Sequence, residues 1–184
     1  MTSILWRRLD QPGHDSAVLR EDASGAVIEG STVFAESGRP CRLNYRVVSD
    51  STWRTLSARV HGWLDTTAVA IELAADAGRG WTINGQQQAD LHGAFDVDLS
   101  FTPATNLLPI RRLRLAVGAR APVRAAWLRF PEMTLEPLDQ IYERLSASRY
   151  RYESGGGSFA AVLEVNAAGF VTSYPGLWRL EEAD

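Results

Sequence analysis

The sequence predicts a single, mostly β domain over residues 1–184, built as an antiparallel sandwich or barrel. Three observations carry that expectation. Apolar and polar residues alternate with a period of two along most of the chain, as on strands with one buried face. The alternating runs are short and recur at about 8–12-residue spacing, punctuated by turn residues. The long helical stretches that parallel crossovers need are missing.

Three strands are expected in the first forty residues, around 4–9, 16–21 and 26–35. Leu43, Tyr45 and Val47 then alternate with Arg42, Asn44 and Arg46. The next segment puts Leu56, Ala58, Val60 and Leu64 on one face and Thr55, Ser57, Arg59, His61 and Trp63 on the other. A turn at residues 65–67 leads into Val69, Ile71 and Leu73, and a turn cluster at 76–80 precedes a short strand, Trp81–Ile83. Asn84-Gly85, both tolerant of positive φ, marks a tight hairpin. Later strands are expected at 94–101, 111–117, 122–130, 148–153, 158–165 and 169–174. Thr102-Pro103 resembles an N-cap followed by proline at the first helical position, which opens a short helix or turn before Pro109. Residues 138–145 fit two patterns. Leu138, Ile141, Tyr142 and Leu145 have helical spacing, whereas Leu138, Gln140, Tyr142 and Arg144 make one face of a strand.

Composition narrows the function classes. All 19 basic residues are arginine, which excludes Schiff-base and P-loop lysine chemistry. The formal charge of −3 argues against a general nucleic-acid binder, whose affinity comes from released counterions. Cys41 is the only cysteine, so neither an intramolecular disulfide nor a cysteine zinc cluster can form. His14, His61 and His92 show no metal-ligand spacing, and no metal or cofactor is expected. The start, MTSILWRRLDQPG, lacks the apolar stretch of a secretory signal, and no window reaches the ~20 apolar residues of a membrane span. The expected location is the cytoplasm. Arginines such as Arg20, Arg39, Arg59, Arg79, Arg120, Arg129 and Arg179 are spread over turns and solvent faces, as a coding bias would place them.

One segment says more. Residues 94–115 read AFDVDLSFTPATNLLPIRRLRL. The string D-x-D-L-x-x-T-P-x-T-N-x-L-P-I-R-R-L resembles the bacterial family named Putative glycolipid-binding, formerly a domain of unknown function. Trp81, the Gln140-x-Tyr142 and Tyr150-x-Tyr152 stretches, and Phe159 onward through Gly169-Phe170-Val171 to Tyr174-Pro175-Gly176 resemble the same family. The resemblance implies a many-stranded sheet curved into a barrel-like fold around one short helix, assembled as a homodimer. It also implies a lipid or glycolipid ligand rather than catalysis. Two departures stand out: Ala104, where a bulkier residue is expected, and Asn166, where an aspartate is usual.

The candidate ligand-binding residues are Asp96, Asp98, Thr105, Asn106, Arg111, Arg112, Tyr142 and Trp63, and no catalytic residue is assigned. On a strand Asp96 and Asp98 share a face with Cα atoms ~6.5–7 Å apart. They either bind sugar hydroxyls or pair with Arg111, Arg112 or Arg114. Arg111 or Arg112 suits a phosphate or carboxylate headgroup, as arginine's planar fork does generally, or pairs with an aspartate. Thr105 and Asn106 either donate to a ligand or satisfy their own turn. Trp63 falls on the polar face of its strand and suits sugar stacking, with core or dimer interface as the other reading. Three functions follow in order: a soluble binder of an amphipathic ligand, a dimerisation module, and a sugar-directed hydrolase or isomerase using Asp96 and Asp98.

Overall fold

A computed structural model describes residues 1–78 and 80–181; Arg79, expected on the surface, lies outside the described residues. The alternation seen in sequence becomes one 15-stranded sheet. Its strands are β1 (Thr2–Arg8), β2 (Gly13–Asp22), β3 (Gly25–Glu36), β4 (Arg39–Asp50), β5 (Thr55–Leu64), β6 (Thr67–Ala75), β7 (Trp81–Ile83) and β8 (Gln86–Gln88). They continue as β9 (Asp96–Leu99), β10 (Arg120–Leu128), β11 (Leu135–Arg144), β12 (Arg149–Ser154), β13 (Phe159–Val165), β14 (Val171–Tyr174) and β15 (Trp178–Leu180). One α-helix, α1 (Leu107–Leu113), sits between β9 and β10.

The spatial order is β8-β7-β6-β5-β4-β3-β2-β1-β15-β14-β13-β12-β11-β10-β9. β8 and β9 are the two ends, so the sheet is not closed into a barrel. First and last strands meet in the middle, with Trp6 opposite Leu180 and Arg8 opposite Trp178. Every pairing is antiparallel except β9 with β10, which run parallel. The expectation of a wholly antiparallel sheet fails there because β9–α1–β10 is a helical crossover, the connection that parallel neighbours require.

Most of the expected elements form. β4 buries Cys41, Leu43, Tyr45 and Val47 on one face, and Asn84-Gly85 turns the β7–β8 hairpin with φ of 50° and 77°. The ambiguous stretch 138–145 is strand, with Gln140 and Tyr142 buried. Two expectations are corrected. Residues 111–117 are not a strand: α1 runs to Leu113, and Arg114 caps it in the left-handed conformation. Leu56 does not share the buried face of Ala58 and Val60. The register slips between Val48 and Ser49, which turns Thr55 fully inward and leaves Leu56 41% exposed.

The helical segment is deeply embedded. A 3-10 turn, Ala104–Asn106, runs into α1, and Leu107, Leu108, Pro109 and Ile110 are all buried. Pro109 does not end the helix; it lies in the first turn, where its missing N–H is not needed. Strands from both arms of the sheet reach this segment: Tyr45 of β4 meets Thr102, and Tyr142 of β11 meets Asn106.

Candidate functional site

The D-x-D strand, the turn and α1 form one crossover, so chain connectivity alone brings the motif's aspartates and arginines together. Asp96 is buried and bonded by Arg112. Its Oδ1 accepts from Nε at 3.0 Å, and its Oδ2 accepts from Nε at 3.2 Å and Nη2 at 2.6 Å. The Arg112 guanidinium also lies over the Phe95 ring, 5.4 Å from its centroid. Of the two readings of Asp96, the structure therefore shows the ion pair.

Asp98 has a different partner. Its Oδ2 accepts from Gln140 Nε2 at 2.7 Å, and among the described residues no arginine pairs with it. Desolvation raises its carboxyl to about 6; the Gln140 hydrogen bond opposes that rise, and the charge of Asp96 reinforces it. Around this carboxyl stand aromatic rings in series. Tyr142 and Tyr152 are 5.1 Å apart between centroids, Tyr152 and Tyr174 6.1 Å, and Tyr174 and Phe159 6.0 Å. Exposure rises along the series, from 1% at Tyr142 through 3% and 9% to 37% at Phe159. Burial, with the nearby charge of Asp98, holds the Tyr142, Tyr152 and Tyr174 phenols well above their ordinary range, so all three are neutral donors.

The remaining expected residues are distributed as follows. Asn106 donates Nδ2–H to the Tyr142 hydroxyl at 2.8 Å, which joins two candidates in one buried bond. Thr105 serves its own turn: its hydroxyl accepts the Leu99 N–H at 3.3 Å. Arg111 leaves α1 in another direction, donating to Ala168 O at 2.9 Å and Glu21 at 2.6 Å, with its guanidinium 4.2 Å from the Trp53 ring. Trp63 is apart from all of these. It stands beside Arg42 on the outward face, 5.9 Å from ring to guanidinium. Asn166, the departure from aspartate, still closes its turn by accepting the N–H groups of Ala168, Gly169 and Phe170 at 3.1 Å each.

Sequence reasoning left Gln140, Tyr152, Tyr174 and Phe159 out of the site, although their alternation with Tyr142 and Tyr150 was visible. It missed a second polar cluster altogether. Asp15 of β2 is fully buried; Thr102 donates to its Oδ2, and Tyr45 donates at 3.0 and 3.2 Å. Among the described residues no cation pairs with it, and desolvation pushes its carboxyl up to about 8. Gly30 makes the arrangement possible, since a Cβ there would fall 2.2 Å from Tyr45 Cζ. The only early signal was the register of Asp15 with Ala17 and Leu19.

The two clusters differ chemically. Asp15 is enclosed and locks the motif's turn to β2 and β4. Asp98 offers an acceptor, an amide, neutral phenols and ring faces that lead to the surface, the set that recognises hydroxyl-rich, ring-shaped groups. Among the described residues no group of three or more His, Cys, Asp or Glu is placed to hold a metal.

The family profile described as Putative glycolipid-binding matches residues 3–180. Among solved structures, the chain is similar to the crystal structure of a DUF1089 family protein from Pseudomonas aeruginosa. The two are 36% identical over 90% of this chain and 91% of that chain, with a TM-score of 0.79. No curated protein matches.

Proposed function

From a chain that belongs to the Putative glycolipid-binding family, we infer a non-catalytic binding protein for an amphipathic ligand, a glycolipid or acyl conjugate, with the sugar recognised beside Asp98. The observation that carries this reading is the ring series from buried Tyr142 to exposed Phe159, with Asp98 and Gln140 alongside. Aromatic faces stack on the apolar face of a sugar, and the carboxylate and amide meet its hydroxyls. Asp98, Asn106 and Tyr142 belong to this site or support it directly. Asp96, Thr105, Arg111 and Arg112 fix the crossover that presents it, and Trp63 takes no part.

The enzyme reading is weaker because Asp96 is held by Arg112. Two carboxyls that share a substrate must face each other across the bond being cut. Dimerisation through the outward face of β1–β3 is part of the proposal, supported by exposed Leu5 and Val33 there. So is a cytoplasmic location, to which the single, buried cysteine is suited. No helix is long and apolar enough to cross a membrane.

The test is calorimetric titration with an alkyl glycoside and, in parallel, native mass spectrometry of the purified protein. Saturable binding that Phe159→Ala and Tyr174→Ala weaken is expected. Binding that both variants leave unchanged refutes this site, and no binding of any amphiphile refutes the function.

A further inference from the structure

The C-terminal end of α1 opens onto a groove of about 380 Å³, lined by Arg111, Arg114, Arg144, Tyr150 and Asn166 among others. Three arginines line it and no acidic residue does, in a chain whose formal charge is −3. We propose that this groove is an oxyanion site for a phosphate group, carried on a ligand or free, distinct from the sugar site at Asp98.

The three arginines are held differently, and the differences matter. Arg144 is fixed by neutral acceptors only: its guanidinium donates to the carbonyls of Ser146 at 3.1 Å, Leu115 at 2.8 Å and Ala147 at 3.2 Å. These bonds set its position, and among the described residues its charge has no ion-pair partner. Arg111 is fixed by Ala168 O and by stacking on Trp53; its one carboxylate partner, Glu21, lies outside the groove lining and is 40% exposed. Arg114 is exposed at the left-handed cap of α1 and makes no ion pair among the described residues.

Gathering three like charges around one concavity is unfavourable unless something offsets them. The carbonyl end of α1 offsets a part, equivalent to roughly half a charge for a well-formed helix and less for a short one. Glu21 compensates Arg111 from outside the lining, and a phosphate offsets what remains on Arg144 and Arg114. Its oxygens match the planar fork of arginine, which gives bidentate bonds that a chloride ion cannot make. Two arginines already positioned, with a third free to close over the anion, form a prearranged receptor of low ordering cost. Asn166 is neutral where an aspartate would put a negative charge into the same groove, while making the same turn bonds through Oδ1.

The test uses the full chain and two probes. Inorganic phosphate is titrated against the protein at constant ionic strength, followed by the fluorescence of Trp53, which stacks on Arg111. Sedimentation with phosphatidylcholine vesicles, with and without phosphatidic acid, forms the second arm. Two variants leave the fold intact: Arg114→Asn, which suits the left-handed cap, and Asn166→Asp, which keeps the turn and adds a charge. Saturable binding that each variant weakens about tenfold is expected, the size of one charge-assisted hydrogen bond lost or one like charge added. Binding of phosphate itself shows that the free ion suffices, and binding confined to phosphatidic acid vesicles assigns the site to a lipid headgroup. Both support the proposal. No binding in either arm, or binding equal in wild type and both variants, overturns it. Neither result touches the glycoside titration, so the two readings fail separately.

Discussion

Arg112 holds Asp96 with the full width of its guanidinium, while Asp98, two residues along the same strand, is left to an uncharged glutamine. One carboxylate of the motif is thereby structural and the other is available. Arg112→Ala takes the guanidinium from a buried carboxylate and is expected to destabilise the fold by about 3–5 kcal/mol in urea denaturation. Arg112→Lys keeps the charge but loses the fork, and about 1–3 kcal/mol is expected from the same measurement.

Asp15 gives the fold a pH dependence whose sign is fixed by its environment. Its carboxyl titrates near 8 when folded against 3.8 ordinarily. Below the lower value both states hold the proton. Between the two, the unfolded chain releases it and the folded chain keeps it, so stability falls as pH rises and levels off above 8. Asp15→Asn removes this slope. Relative to that variant, the wild type is expected to lose up to about 4 kcal/mol between pH 5 and pH 9, read from urea midpoints.

Gly30 leaves room for Tyr45 to reach Asp15. Gly30→Ala places a methyl where the Tyr45 hydroxyl sits, and a loss of about 1–3 kcal/mol is expected. The loss should shrink in a Tyr45→Leu background, which removes the ring carbon that the new methyl would meet at 2.2 Å. Equal losses in both backgrounds would place the strain elsewhere.

Tyr142→Phe removes the acceptor of the Asn106 amide without removing the ring. The amide is left buried with a donor unmet, for an expected loss of about 1–3 kcal/mol. Thermal unfolding of Tyr142→Phe beside Asn106→Leu separates the lost bond from the stranded group, since the second variant removes the donor.

Asp98 ionises near 6, inside the range where a binding assay is easily run. A carboxylate accepts stronger hydrogen bonds from sugar hydroxyls than a carboxylic acid does. Affinity for an alkyl glycoside should rise about fivefold to tenfold from pH 5 to pH 7, and Asp98→Asn should abolish the rise. Calorimetry at the two pH values decides it.

How much of this was legible in the sequence depended on whether the deciding contact was local. The alternation of β4 and the Asn84-Gly85 turn are local, and both read correctly. Arg-Leu-Arg-Leu over 112–115 has the period of a strand, yet this stretch ends a helix. Leu107, Leu108 and Ile110 find burial against strands remote in sequence, which no window around them reveals. Leu56 was misplaced by one bulge, which breaks the alternation at the start of β5 and leaves Ala58 and Val60 beyond it on the expected face. Asp96 and Arg112 were readable as partners because one short crossover joins them. Asp15 was not, because Tyr45 is 30 residues away and Thr102 is 87.

The strand order is cyclic in sequence. Read from β8 to β9, it is a descending count that wraps from β1 to β15, so the strands follow a ring in which every neighbour in space is also a neighbour in sequence. Hydrogen bonds join the ring where the first strand meets the last; between β8 and β9 no strand pair forms, and the bonds of Thr55 to Phe95 and Val97 and of Trp81 to Ala94 hold the two arms together beside the peptide chain. A permuted chain, with Leu180 linked to Thr2 and new ends cut between β8 and β9, would therefore keep every strand pair and lose only a covalent tether.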